Sequence, residues 1–190
     1  MDQLVLYLLA LESNPSAAAN ALKLPPGTKI RSAGAVYQQA KSKFVSLDQQ
    51  ADEAAVRKEH LKNLRRSGFV LGSDGIPDAW ETGEEKIYSP LKVKKTGEPT
   101  GDALLSSEEL GLLFNHTRHR LDEMAELIRN GVITADPCRM GNDDLCCRFC
   151  SQNGFCGFED GLNGEFCRML TERKKDAVIE AMGEEAFTDV

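Results

Sequence analysis

Between Gln3 and Leu11 the apolar residues Leu4, Val5, Leu6, Leu8, Leu9 and Leu11 cover nearly the whole circumference of a helix, which predicts an element buried between others rather than a surface helix. Asn14-Pro15-Ser16 ends it. After the turn Leu24-Pro25-Pro26-Gly27, the stretch Ala33 to Ala40 carries Ala35, Val36 and Tyr37 and reads as a strand continuing through Phe44 to Leu47. Gln49 to Arg66 predicts a polar helix stopped at Gly68, and Phe69-Val70-Leu71 then leads into a loop at Gly72-Ser73-Asp74-Gly75. Lys86 to Lys95, with Ile87, Leu91 and Val93, predicts a further strand closed by the turn Thr96-Gly97-Glu98.

The clearest helix follows. Ser106 and Glu109 form a capping-box pattern, Leu110, Leu113, Phe114, Thr117, Leu121, Met124 and Ile128 recur at three and four, and Gly131 stands where a C′ glycine belongs. Asp136-Pro137 breaks the chain before a cysteine-rich loop. Gly164 to Met182 predicts a last amphipathic helix with Phe166, Leu170, Ala177 and Met182 on one side. The pattern is α+β (α/β) with too few strands for a complete sheet, which suggests part of a larger domain. It divides into a core helix and strand over 1–48, a helical and strand insertion over 49–135, the cysteine loop over 136–163 and a terminal helix over 164–190.

At 190 residues the chain is long enough for one hydrophobic core. Its formal net charge of −7 supplies no global attraction for nucleic acid, so such contact must rest on local basic sets. Three sets stand out: Arg57, Lys58, Lys62, Arg65 and Arg66; Lys92, Lys94 and Lys95; and Arg168, Arg173, Lys174 and Lys175. Acidic neighbours such as Glu53, Glu59 and Glu172 also fit these sets to ordinary solvated faces. Leu4 to Leu11 followed by Ala17-Ala18-Ala19 imitates a secretory leader. Asp2 in place of a basic residue, Tyr7 within the run and the shortness of the run argue against a leader or a membrane span, which makes the cytoplasm the expected compartment.

All six cysteines, Cys138, Cys146, Cys147, Cys150, Cys156 and Cys167, fall in the last third of the chain, whereas disulfide scaffolds usually spread them through the fold. Cys147, Cys150 and Cys156 make C-x2-C-x5-C. A C-x2-C step lets two sulfurs face one centre, and a third sulfur five residues on closes the cup. Three thiolates are one short of a closed zinc site or a cubane cluster. The residues therefore leave open a zinc site completed by Cys138 or Cys146, a set of reduced thiols, or part of an iron–sulfur site. Cys167 reads as a buried or half-buried thiol in the last helix. His116 and His119 lie one turn apart, yet their neighbours Arg118 and Arg120 and the want of an acidic third ligand make them part of a polar face, like His60.

Gln3 and Tyr7 form a Q-x3-Y pair whose i and i+4 positions project from one helix face. Joined to the cysteine loop, this pair resembles the RecB-type PD-(D/E)XK nuclease domain of the AddB/RexB family of helicase–nuclease subunits. Further segments are similar in order and spacing: Ala33-Gly34-Ala35-Val36-Tyr37, Arg66-Ser67-Gly68-Phe69-Val70-Leu71, Pro90 to Gly97, the helix ending Ile128-Arg129-Asn130-Gly131, and Cys147 through Cys156-Gly157-Phe158-Glu159. The resemblance implies a [4Fe–4S] cluster held by Cys147, Cys150 and Cys156, with a fourth cysteine upstream of the nuclease core. Cys146 occupies a position that is not usually a ligand.

The resemblance further implies magnesium-dependent phosphodiester hydrolysis in the intact protein, DNA ends as substrate and an AddA-like helicase–nuclease partner. The family's carboxylates and lysine would lie before Met1, so the chain is expected to be a C-terminal portion in which Gln3 and Tyr7 only support the site and no hydrolysis occurs in isolation. Two other readings stand beside it. CRISPR adaptation nucleases share Q-x3-Y and a terminal cysteine triplet but carry a shorter insertion between them, and a non-enzymatic zinc-binding interaction module accounts for the cysteines alone.

Overall fold

The computed structural model describes residues 2–41, 44, 52–73, 75–82, 86–140, 144–162 and 164–188. The architecture is mixed α and β, with helices joined to small sheets, as the sequence pattern predicts. The chain divides into two compact units, Met1–Arg118 with Ile179–Val190 and His119–Val178.

The first unit opens with α1 (Asp2–Ser13), and Pro15 at the first position of α2 (Pro15–Ala21) separates the two helices. Then come β1 (Gly34–Tyr37), α3 (Glu53–Asn63), β2 (Ser67–Leu71), α4 (Ile76–Trp80) and the short strands β3 (Lys92–Val93), β4 (Pro99–Thr100) and β5 (Leu104–Leu105). The sheet order β1-β2-β5 puts β2 at the centre. β1 pairs with it antiparallel, Ala35 opposite Phe69, and β5 pairs parallel, Val70 opposite Leu104. Gly34 and Gly68 let the first pair close: with φ of 138° and 140°, a Cβ on them would lie 2.5 Å from the Phe69 carbonyl oxygen and 2.2 Å from that of Ala35.

One face of α1, carrying Leu4, Val5, Leu8 and Leu9, is buried with Phe69, Leu105, Leu110 and Phe114 in a single apolar cluster. Burying each such side chain contributes about 1.5–3 kcal/mol, so the cluster is the main source of this unit's stability. The expected all-round burial of α1 is not found. Leu6, Tyr7 and Leu11 are exposed, because the packing partners cover one face only.

Several elements differ from the sequence pattern for local reasons. The polar helix runs only from Glu53 to Asn63, with the Asp52 carboxylate accepting from the Ala55 N–H at 2.8 Å; Gly68 lies inside β2 rather than acting as a stop. Residues 49–51 and 45–47 lie outside the described residues, while Phe44 is exposed and outside any strand. The predicted strand from Lys86 to Lys95 shrinks to β3. The Glu81 carboxylate accepts from the N–H groups of Ile87, Tyr88 and Ser89, and the Arg65 guanidinium donates to the carbonyls of Ser89, Pro90 and Leu91. Backbone groups that would feed a ladder are thus taken by side chains.

α5 (Ser107–Arg129) starts as its capping box predicts: Ser106 Oγ accepts from the Glu109 N–H at 3.1 Å and Glu109 Oε2 accepts from the Ser106 N–H at 2.7 Å. At its end Gly131 adopts φ of 68° and the Val132 N–H donates to the Leu127 carbonyl at 3.0 Å. Of its apolar stripe, Leu110 and Phe114 are buried whereas Leu121, Met124 and Ile128 are exposed.

The second unit holds β6 (Cys138–Met140), β7 (Asp144–Leu145), a 3-10 turn at Cys146–Phe149, α6 (Asn153–Cys156) and β8 (Arg168–Leu170). β6 is central, antiparallel to β7 and parallel to β8. The expected helix from Gly164 is replaced by β8, and α7 begins only at Lys175 and runs to Thr188. Gly161 and Gly164, both at positive φ, turn the chain so that Arg168, Met169 and Leu170 pair with Cys138, Arg139 and Met140.

Candidate functional site

Two places carry the sequence-predicted chemistry. On α1, Gln3 Nε2 donates to Tyr7 Oη at 2.8 Å, the geometry that i and i+4 positions permit. β1 adds a residue that sequence spacing did not single out: Tyr37 Oη donates to Gln3 Oε1 at 3.5 Å. One amide therefore bridges two phenols, its NH2 toward Tyr7 and its oxygen toward Tyr37. Both rings remain accessible, Tyr7 at 58% and Tyr37 at 42% exposure. Beside them, Arg66 Nε donates to Gln38 Oε1 at 2.8 Å. This corner can present aromatic faces, an amide and a cation. Only the long-range pairing of β1 with β2 brings Tyr37 to this end of the sheet, which is why a local motif does not reveal it.

The cysteine loop is a series of tight turns. The Cys150 N–H donates to the Cys147 carbonyl at 3.2 Å, the Asn153 N–H to the Cys150 carbonyl at 3.3 Å and the Cys156 N–H to the Gln152 carbonyl at 3.0 Å. Gly157, at φ of 68°, closes α6 after Cys156. Cys147 is half-buried, and Cys150 and Cys156 are exposed. Among the described residues no three His, Cys, Asp or Glu side chains stand together where they could hold a metal ion. The triplet has the residue types a cluster or zinc needs, spread over the 3-10 turn, the residue after it and the end of α6.

The two candidate fourth ligands differ. The side chain of Cys146 lies outside the described residues. Cys138 is half-buried on β6 opposite Arg168; strand alternation puts it on the face opposite Arg139, whose Nη2 lies 3.9 Å from Cys167 Sγ. Cys167 is buried as expected, although just before a strand and not in a helix.

Part of each basic set is engaged within the protein. Arg65 holds the 89–91 backbone, Lys62 pairs with Glu59, Lys94 with Glu98, and Arg168 with Asp136 at 2.7 Å. His119 pairs with Glu123 at 3.4 Å on an exposed helix face, in keeping with the polar-face reading. No described helix is long and apolar enough to cross a membrane.

No family model matches the chain. It is 28% identical over 188 residues to the B subunit of the ATP-dependent helicase/deoxyribonuclease of Bacillus cereus strain G9842, covering 96% of this chain and 16% of that relative. Proteins of the same name from Listeria welshimeri and Bacillus pumilus are 26% and 27% identical over 85% and 84% of this chain, and 14% of each relative is covered. The chain thus spans 14–16% of the length of these curated relatives. Along most of its length it is similar to the B subunits of ATP-dependent helicase/deoxyribonucleases, the family that its Gln3–Tyr7 pair and cysteine loop resemble.

Proposed function

We propose that this chain forms part of the nuclease domain of an AddB-like protein, acting with an AddA-like helicase–nuclease partner on DNA ends during double-strand-break repair and recombination. The observation that carries the reading is the match to helicase/deoxyribonuclease B subunits over 96% of the chain, an extent that takes in the cysteine loop. In this role Gln3 orients DNA or a neighbouring group by hydrogen bonding, and Tyr7 stacks or hydrogen-bonds beside it. The bridge from Gln3 to Tyr7 and Tyr37 supports that assignment, since it fixes the amide orientation and leaves both rings open.

The segments that resemble the family do not include its carboxylate–lysine set, and magnesium-assisted attack of water depends on such carboxylates. This chain is therefore a supporting part that does not hydrolyse DNA alone. Cys147, Cys150 and Cys156 are the proposed [4Fe–4S] ligands, a reading carried by residue type and spacing, with zinc as the alternative occupant.

Incubation of the highly purified chain with end-labelled linear DNA and magnesium tests the proposal. The expected result is salt-sensitive DNA binding, weakened by Tyr7→Ala, without degradation. Degradation that persists through further purification would overturn the supporting role, and absence of DNA binding both alone and with an AddA-like partner would overturn the DNA assignment. Anaerobic purification separates the metal readings. Brown protein with broad absorbance supports the cluster, colourless protein with one tightly bound zinc supports zinc, and protein with neither rejects zinc, the occupant for which this chain offers a fourth thiol of its own.

A further inference from the structure

The cysteine loop lies between two strands that meet. β6 precedes it, β8 follows it, and they pair in parallel with Arg139 opposite Met169. The join is reinforced outside the ladder. The Arg168 N–H donates to the Pro137 carbonyl at 2.9 Å and Arg168 Nε pairs with Asp136 at 2.7 Å. Asp160 makes the central tie: Oδ1 accepts from the Cys167 N–H at 2.9 Å, while Oδ2 pairs with Arg139 Nη2. The same Nη2 lies 3.9 Å from the buried Cys167 Sγ, a contact between residues 28 positions apart.

From this we infer that Arg139 and Asp160 form a latch that closes the base of the cysteine loop independently of any metal at its thiols. Three features carry the inference. Asp160 belongs to the loop itself yet grips β6 at Arg139 and the residue that leads into β8, so a single carboxylate ties three separated points of the chain. Its partner Arg139 is only 21% exposed in its side chain, and a charge-assisted bond there is stronger than one in open water. Arg139 Nε is buried without a hydrogen-bond partner, so Asp160 is what holds the guanidinium in place against that loss.

None of the latch atoms belongs to Cys147, Cys150 or Cys156. The polypeptide therefore supplies the entropy-costly closure of the loop, leaving only the turns at its tip to be arranged by a ligand.

Amide hydrogen exchange on the full chain, reduced and stripped of metal with chelator, tests the latch. Wild-type amides of Cys167 and Arg168 are expected to exchange at least tenfold more slowly than unstructured peptide. Asp160→Asn and Arg139→Gln should abolish that protection while Phe69 and Val70 in β2 stay protected, which shows that the variant has folded. The triple variant C147S/C150S/C156S should leave protection at Cys167 and Arg168 unchanged. Unprotected amides in the metal-free wild type, or protection that the triple variant loses and the Asp160 variant keeps, would overturn the latch. Zinc or iron–sulfur loading is measured separately, so its outcome bears on the metal reading and leaves the latch standing.

Discussion

The two units solve the same problem with different physics. In the first, eight large apolar side chains share one cluster, and Phe69 is 2% exposed at the centre of its sheet. In the second, Cys167 is the sole buried residue among those described, while Phe149 and Phe155 are 84% and 91% exposed. A segment with so little buried apolar surface cannot offset the entropy of ordering its backbone by hydrophobic burial. It relies on ties of other kinds, such as carboxylate–guanidinium bonds, strand pairing and, in the proposed function, a metal group. Small units without a core commonly need such staples. The cysteines are thus concentrated where the apolar core is missing.

Paired substitutions can break or sharpen this contrast. The largest effect is expected for Phe69→Ala, which empties the middle of the first unit's cluster and should cost about 3–5 kcal/mol. Urea unfolding followed by fluorescence of Trp80, the single tryptophan, measures it; a loss below about 1 kcal/mol would mean that the cluster does not dominate this unit. Next is Glu81→Ala, which strands the N–H groups of Ile87, Tyr88 and Ser89 and should cost about 1–3 kcal/mol by the same measurement. An unchanged midpoint would show that water replaces the carboxylate without penalty.

A smaller effect is expected for Ser106→Ala, which removes the acceptor for the Glu109 N–H and should cost about 1 kcal/mol. Its signature is a lower thermal midpoint together with faster amide exchange in the first turn of α5. Phe155→Ala should have the least effect, within about 0.5 kcal/mol, because the ring is almost fully solvated. A large loss there would reveal packing in the second unit and erase the contrast with Phe69.

Much of the first unit, and the end of α5 in the second, was legible in the chain. The capping box at Ser106 and Glu109, the glycine at 131, the break at Asn14-Pro15 and the strand residues Ala35, Val36 and Tyr37 all act through neighbours within a few positions, and short-range patterns carry that information. The Gln3–Tyr7 bond was legible for the same reason. What escaped were the elements set by distant partners. β8 lies in a stretch that reads as a helix because Met169 and Leu170 suit either state; pairing with β6 settles the choice. The strand near Lys86 was lost to Glu81 and Arg65, whose side chains reach backbone that no periodicity links to them.

The sequence by itself determined the α+β class, the bounds of α1 and α5, the Gln3–Tyr7 pair and the confinement of every cysteine to the last third, because these follow from local propensity, capping and spacing. Only the tertiary structure decided that α1 buries one face, that Tyr37 joins Gln3, that Arg65 serves the fold, and that Asp160 ties Arg139 to Cys167. Each of those outcomes depends on which distant segments meet. Hydrophobic burial and side-chain hydrogen bonding act through space, so their partners are fixed only when the whole chain has folded.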